Sequence, residues 1–263
     1  MKRVLVINYH RIDTGAATET SQLEQLYTVR RDSLVTQLEL LAKKQIPLIP
    51  LSSLVSNTVR DDFSVSITVD DGNESDYSVV LPLVRKYNIP VTFFLSLTGK
   101  NVSHLIREQI IELSGNENIV IGSHSVNHKD MTRLSRKEQE YELQYSKQFL
   151  ESLTGKPVNF FALPYGMYNR QVLRLSIEAG YKAIMTSNIR MNDPRSCPLL
   201  IHRWSVRSDT SLRRFEKMIT LGSVEFKLNS VMSGFRYAAT RIVGKGLADR
   251  FNLLLRQKAG KKN

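Results

Sequence analysis

The sequence predicts a barrel-like α/β fold built on a parallel sheet, with a doubly wound open sheet as the alternative. Two observations lead to this prediction. Short runs of β-branched and aromatic residues alternate with helical patterns through the first 210 residues. Clusters of polar residues follow the strand candidates directly, as expected where loops gather at one end of a parallel barrel. The 263 residues, 41% of them hydrophobic, are enough to fill one large core.

Seven segments have the composition of strands. They are residues 4–8, 64–69, 91–96, 119–121, 158–163, 181–185 and 199–206. The first strand candidate follows Lys2 and Arg3, and its apolar run is too short for the hydrophobic region of a signal peptide. We therefore interpret this stretch as a strand and expect a cytoplasmic protein.

Helical patterns fill the gaps between the strand candidates. Residues 31–45 and 76–87 repeat apolar side chains at helical spacing. Ser135 and Glu138 form a capping box that predicts the start of a long helix ending near Leu153. This order of elements is typical of consecutive βα units.

Cysteine content and hydropathy exclude several classes of protein. Cys197 is the single cysteine, so an internal disulfide framework is excluded and a reducing compartment is expected. No run approaches the roughly 18 apolar residues that a membrane-spanning helix needs.

The net charge of +12 is concentrated near the end of the chain. Residues 211–263 contain 12 Lys or Arg and three acidic residues, which leaves only +3 for the first 210 residues. We predict a barrel over residues 1–210 and a basic, helical extension over residues 211–263. The extension could contact the anionic inner face of the cell membrane, or it could pack on the barrel. Nucleic acid is not an expected partner.

The polar clusters contain the residue types of a metal-dependent hydrolase. Asp70 and Asp71 end the second strand candidate, while His124 and His128 are spaced so that one ion can bind both imidazoles. Two histidines and a carboxylate suit Zn²⁺ or a similar divalent ion, and the second aspartate would be free to act as a general base. Alone, Asp-Asp-Gly is usually a turn and His-x-x-x-His is usually helix surface. Their joint placement after separate strands favours the metal site.

These motifs resemble those of the polysaccharide deacetylases, also called the NodB-homology or carbohydrate esterase 4 family. The segment Thr68-Val69-Asp70-Asp71-Gly72 is similar to the family's T-F-D-D-G motif, and His124 to His128 is similar to its H-S/T-x-x-H motif. Residues 161–166, FALPYG, approximate its aromatic-R-x-P-Y-G motif. The opening NYHRI and the FALPYG form are similar to the subgroup that includes the poly-N-acetylglucosamine deacetylases. The resemblance covers about residues 4–206.

The resemblance implies an irregular (β/α)₇ barrel and metal-dependent removal of an acetyl or other acyl group from a sugar. By resemblance, Asp70 is the general base that takes a proton from the bound water. Asp71, His124 and His128 hold the ion. Zinc is the first choice for this ion, and cobalt, nickel or manganese are alternatives.

The same resemblance assigns the substrate groove and an expected substrate. Pro164 would shape the loop and Tyr165 would line the groove, with the Tyr165 N–H placed to hold an oxyanion. The expected substrate is an acetylated polysaccharide or a lipid-linked sugar.

Two features depart from the family pattern. Ala162 stands where much of the family has an arginine that braces the catalytic aspartate, and Arg203 could replace that arginine. The general acid could be His202, which fits an L-x-H pattern, or His10 at the tip of the first strand. We favour His10. A carbohydrate-binding pseudoenzyme is the alternative function, and a nucleic-acid-binding scaffold is a third hypothesis that only the basic extension suggests.

Overall fold

The computed structural model describes residues 2–15, 21–98, 104–196, 199–220, 226–228 and 230–232. Its strands are β1 Arg3–Tyr9, β2 Arg11–Asp13, β3 Thr28–Arg30, β4 Phe63–Asp71, β5 Val91–Leu95, β6 Ile119–Ser123, β7 Phe160–Ala162, β8 Ala183–Met185, β9 Leu200–Ile201 and β10 Arg203–Ser205. Its α-helices are α1 Gln22–Tyr27, α2 Arg31–Lys43, α3 Leu51–Val55, α4 Leu81–Tyr87, α5 Arg107–Gly115, α6 Arg136–Thr154, α7 Arg170–Glu178 and α8 Leu212–Ile219.

The main sheet is parallel and has the order β10-β1-β4-β5-β6-β7-β8-β9. Its two edge strands, β9 and β10, are separated in sequence only by His202. One short segment therefore pairs with β8 through its first half and with β1 through its second half. This segment therefore joins both edges of a sheet with seven strand positions, and the predicted α/β fold with a parallel sheet is confirmed.

Alternate residues of the strands form two separate apolar cores. Val4, Val6, Phe94, Ala162 and Met185 belong to a cluster enclosed by the sheet. The intervening residues pack outward against the helices in a larger cluster. This separation follows from the period-two alternation of side chains along a strand.

The long helix α6 begins where the sequence predicts it. The Ser135 Oγ accepts a hydrogen bond from the Glu138 N–H, and the Glu138 carboxylate accepts one from the Ser135 N–H at 2.8 Å. Gly155 ends the helix in a left-handed conformation with φ of 67°. Both ends of α6 therefore carry the expected capping features.

An insertion after β1 was not predicted from the sequence. The strands β2 and β3 pair in parallel as a separate two-stranded sheet, and α1 lies between them in the chain. Both strands are three residues long, which is too short to show an alternating pattern. The insertion supplies one wall of the cleft described below.

Helix α8 packs on the barrel. Phe215 and Met218 are fully buried, and the ring of Phe215 lies 5.5 Å from that of Trp204. The domain boundary at residue 210 stays a prediction, and residues 233–263 of the basic extension lie outside the described residues. Within the described part of the chain, no helix is both long and apolar enough to span a membrane.

Candidate metal centre and active-site cleft

Asp71, His124 and His128 form a cluster at the carboxyl ends of β4 and β6. One ligand atom from each residue lies within 4.8 Å of the others. The Asp71 Oδ1 is 3.5 Å from the His124 Nε2 and 3.3 Å from the His128 Nε2. That Asp71 oxygen is buried, and no described residue forms a hydrogen bond with it. The cluster therefore has the composition and the unsatisfied oxygen that suit a divalent cation.

The tautomer of His124 is set by a backbone carbonyl. Its Nδ1 lies 2.7 Å from the Ala162 carbonyl oxygen, which can only accept a hydrogen bond. The Nδ1 therefore carries the proton, and the Nε2 presents a lone pair towards Asp71. A second bond of this kind is the usual way in which proteins orient a metal-binding histidine.

Unusual backbone conformations are concentrated at this cluster. Seven described non-glycine residues have positive φ, and four of them are in or beside the cluster. They are Asp71 at 86°, Ser125 at 72°, His128 at 51° and Tyr165 at 60°. Strain of this kind persists only where the surroundings enforce it, and it is frequent at functional sites.

Asp70 lies beside the cluster and has a different partner. The Arg203 Nη1 and Nη2 donate to its two oxygens at 2.7 and 2.8 Å, and the Asn8 Nδ2 donates at 3.0 Å. Both Asp70 and Arg203 are buried. Burial alone would raise the pKa of Asp70, but Arg203, followed by His124 and His10, holds that pKa well below its ordinary value. Asp70 is therefore a carboxylate at any working pH.

Arg203 makes the contact that the sequence analysis expected of it. Ala162 belongs to the apolar core inside the barrel, so no charged side chain reaches Asp70 from that position. Arg203 reaches Asp70 from β10, and it also donates to the Asn8 Oδ1 at 3.1 Å and to the Thr186 carbonyl at 3.3 Å.

The two candidate general acids are in different places. His10 lines the same cleft as Asp70 and Asp71, and its Nδ1 is buried without a hydrogen-bond partner among the described residues. Burial lowers the pKa of His10, while the charges of Asp71 and Asp70 oppose that change. His202 instead places its Nδ1 3.0 Å from the Thr186 Oγ1 and is not among the residues that line the cleft.

The cleft has a volume of about 400 Å³, which is within the usual range for small-molecule sites. Tyr165 lines it, and the ring of Tyr165 lies 4.8 Å from that of His128. Pro164 is buried and begins the turn that presents Tyr165. Gly166 follows with φ of 69°, and a Cβ there would lie 2.9 Å from the Ser187 backbone nitrogen, so this turn requires glycine.

Further cleft residues come from the insertion and from positions that the sequence analysis missed. They are Arg11, Ser21, Leu23, Glu24, Tyr27, Asn73, Ser96, Thr98, His104, Leu163, Ser187 and Ser205. The ring of Tyr27 lies 4.6 Å from that of His10. Tyr27 follows no predicted strand and lies in no recognisable motif, so it could not be identified from the sequence.

Two buried carboxyl groups near the site were also missed. Asp76 is fully buried, and burial, followed by the charges of Asp71 and Asp70, raises its pKa well above the ordinary value. Glu142 on α6 accepts hydrogen bonds from the loop that carries the two histidines. The sequence around Glu142 contains no motif that links it to this loop.

Comparisons with known proteins are consistent with this site. Residues 58–184 match the family model described as polysaccharide deacetylase. The peptidoglycan-N-acetylmuramic acid deacetylase PdaA of Bacillus subtilis is 29% identical over 128 residues, which are 47% of this chain and 46% of that protein. A peptidoglycan-N-acetylglucosamine deacetylase of Bacillus cereus is 31% identical over 125 residues, which are 47% of this chain and 56% of that protein. The chain thus spans about half the length of these curated relatives.

A solved structure shares the fold over most of this chain. The Streptococcus pyogenes deacetylase PplD in complex with acetate superposes with a TM-score of 0.71 at 22% identity, covering 83% of this chain and 98% of that one. The family match includes the metal cluster, Asp70 and Tyr165 but ends before Arg203 and begins after His10.

Proposed function

We propose, from the match of residues 58–184 to the polysaccharide deacetylase family model, that this chain is a metal-dependent hydrolase acting on an acylated sugar. The bond broken would be the carbon–nitrogen bond of an N-acetyl group, or the corresponding bond of another acyl group. The substrate would be a polysaccharide or a lipid-linked glycan. The names of the curated relatives support a glycan substrate.

One observation carries the proposal: two neighbouring carboxylates have different partners. Asp71 faces two imidazole nitrogens, whereas Asp70 is held by a guanidinium. The unsatisfied Asp71 Oδ1 and the lone pair of His124 fit a divalent ion, which Asp71, His124 and His128 would hold. Such an ion would supply Lewis acidity. It would lower the pKa of a water that it binds to about 7, and it would polarise an acyl carbonyl.

The protein's own groups would perform the proton transfers. Asp70 is fixed as an anion by Arg203, and its oxygens keep lone pairs beyond those used by Arg203 and Asn8. It would accept a proton from the water that attacks the acyl carbon. His10 would give a proton to the sugar nitrogen as the carbon–nitrogen bond breaks, which releases the acid and the free amine.

Tyr165 would help to hold the substrate, and its backbone N–H would face the developing oxyanion. Its ring lines the cleft beside His128. A hydrogen bond from this N–H that is stronger in the transition state than in the bound substrate would accelerate the reaction.

The pseudoenzyme alternative is not favoured. The main reason for considering a pseudoenzyme was that position 162 is an alanine and not an arginine. Arg203 contacts Asp70 through two hydrogen bonds, so the base is braced from another strand.

Membrane contact, lipid-linked substrates and a cytoplasmic location remain proposals. The membrane contact and the lipid-linked substrates depend on the basic residues of segment 211–263. Within the part of that segment that the structure describes, the apolar face of α8 is buried against the barrel, as is Phe226. Its exposed side carries Arg213 and Lys217, so charge rather than apolar insertion would mediate contact there.

The proposal is tested by acetate release from a panel of N-acetylated oligosaccharides and peptidoglycan fragments, with metal content measured on the same samples. We expect Asp71→Asn and His128→Ala to lower the metal content. Asp70→Asn should retain the ion and lose turnover. Circular dichroism would confirm that each variant is folded, since Asp70→Asn leaves the buried Arg203 without a counter-ion. A near wild-type rate for metal-loaded Asp70→Asn would show that Asp70 is not the base.

The same assay separates the two candidate acids. General acid catalysis is typically worth ~10²–10⁴ in rate, so His10→Ala should lose about that factor. His202→Ala should lose far less, because His202 does not line the cleft. A larger loss at His202 would reverse the assignment, and no acetate release by the wild-type protein from any substrate would favour the pseudoenzyme.

A further inference from the structure

The loop that carries both metal-binding histidines is bound to a buried carboxylate on α6. The Glu142 Oε2 accepts hydrogen bonds from the Val126 and Asn127 backbone N–H groups, each at 2.8 Å. Its Oε1 accepts a third bond from the Asn127 Nδ2 at 2.7 Å. Glu142 is 2% exposed. The two residues that it holds lie between His124 and His128 in the sequence.

A buried carboxylate is usually paired with a cationic side chain, but Glu142 is bound mainly by backbone N–H groups. No Lys or Arg in the described ranges lies within ion-pair distance of it. Ser125, directly before the two donors, has φ of 72°, and the two consecutive N–H groups that follow it converge on one carboxylate oxygen. Such a concave arrangement of N–H groups binds anions, and here the anion belongs to the protein itself.

The opposite side of the loop is held by neutral groups. The Val126 carbonyl accepts hydrogen bonds from the Thr98 N–H at 2.8 Å and from the Thr98 Oγ1 at 2.9 Å. Ser125 adds an internal bond, because its Oγ accepts from the His128 N–H at 3.1 Å. The loop is therefore fixed from both sides, and α6 supplies the charged, stronger contact.

We propose that Glu142 is a positioning residue that sets the separation of His124 and His128 and thereby raises the affinity of the site for its divalent ion. The proposal rests on the metal site of the proposed function. The two Nε2 atoms lie 3.1 Å apart, and His128 itself has a left-handed backbone, so a small shift of residues 126 and 127 would change that separation. Partners that orient metal ligands typically contribute 10- to 100-fold in affinity or activity.

The test compares two glutamates of the same helix. Glu142→Gln keeps the size of the side chain but has one acceptor oxygen and an N–H₂ group in place of the second. Glu151→Gln is the matched control, because the Glu151 carboxylate also accepts a backbone N–H, that of Val158 at 2.9 Å, near the other end of α6. Metal-free full-length proteins are titrated with Zn²⁺ and Co²⁺ against a competing chelator, and the visible spectrum of the Co²⁺ form is recorded.

We expect Glu142→Gln to weaken binding of both ions by about 10- to 100-fold and to shift the Co²⁺ absorption bands. Glu151→Gln should change neither the affinity nor the spectrum. Asn127→Ala removes the contact to Oε1, together with the hydrogen bond that the Thr98 Oγ1 donates to the Asn127 Oδ1 at 3.1 Å. It should give a smaller loss than Glu142→Gln, and it provides a second measurement if Glu142→Gln does not fold.

Other outcomes would overturn the proposal in distinguishable ways. If Glu142→Gln lowers the melting temperature of the metal-free protein but binds both ions with wild-type affinity and spectrum, Glu142 is a structural residue only. Wild-type affinity in a folded Asn127→Ala protein would count equally against the proposal if Glu142→Gln is unfolded. If the wild-type protein binds neither ion, the proposed metal site fails, and the inference about Glu142 fails with it.

Discussion

Asp70 and Asp71 are adjacent in the sequence, but their carboxylates have different neighbours. Asp70 points into the barrel, where Arg203 and Asn8 bind it, and Asp71 turns towards the histidines through a backbone with φ of 86°. A regular strand would place the two side chains on opposite faces of the sheet, but with the positive φ of Asp71 both carboxylates line the same cleft. The motif therefore combines an anchored anion and a proposed metal ligand in two consecutive residues.

The Asp70–Arg203 pair should be important for stability as well as chemistry. Removing one partner of a buried ion pair typically costs about 3–5 kcal/mol, so we expect Arg203→Met to lower the free energy of unfolding by about that amount. Arg203→Lys should lose less stability, since the charge remains, but should still lower kcat because lysine cannot supply both hydrogen bonds. Urea denaturation and acetate release measure the two effects.

Arg195 provides the control, because it forms a similar two-point contact with Asp193 at the surface. Arg195→Met should leave stability and kcat unchanged. Equal effects at the two arginines would show that burial of the Asp70 pair has no special consequence.

His202 gives a prediction about pH. Burial, followed by the charge of Arg190, lowers the pKa of His202 from 6.5 to about 4. Between those pH values the unfolded chain binds a proton that the folded protein does not bind, so stability falls as the pH falls. We expect the wild-type protein to lose more unfolding free energy between about pH 7.5 and pH 5 than His202→Gln does.

Urea denaturation at the two pH values measures this difference. His10 also has a lowered pKa, but it is present in both proteins and cancels in the comparison. An equal loss in wild type and variant would show that His202 titrates normally in the folded protein.

At the level of elements, α8 shows where the composition of the sequence was an incomplete guide. The basic charge that begins near residue 211 predicted an extension, yet Phe215, Met218 and Ile219 of α8 are buried against the barrel. Charge patterning reports the exposed face of a helix, whereas its apolar face decides what it packs on. The order of strands and helices was predictable because both periodicities are strong; the short strands β2 and β3 were not, because three residues carry no pattern.

The packing of α8 can be measured with two substitutions in that helix. Phe215 is fully buried beside Trp204, so Phe215→Ala should destabilise the protein by about 3–5 kcal/mol. Leu212 is 43% exposed, and Leu212→Ala should change stability by no more than about 0.5 kcal/mol. Chemical denaturation tests both. A negligible loss for Phe215→Ala would mean that α8 belongs to a separate extension.

On the scale of the whole molecule, the sequence predicted that polar clusters would converge but could not predict which residues would pair across the barrel. Asp70, Asp71, His124 and His128 could be identified because each lies within a local motif. Glu142 could not be linked to the histidine loop, since no local spacing connects position 142 with residues 126 and 127. The alternation of side chains along one segment could have been used: if Arg203 points into the barrel, the neighbouring His202 must point outward.

The closing segment Leu200–Ser205 has a consequence for the order in which the protein is made. Arg203 follows Asp70 by 133 residues, and β9 and β10 are the last strands of the main sheet. Because a ribosome delivers the chain from its amino terminus, β1 and β4 to β8 all emerge while Asp70 still lacks its counter-ion. The arrival of a single short segment then joins both edges of the sheet and neutralises the buried carboxylate. During synthesis, the barrel and its buried charge pair are therefore completed together, in one late step.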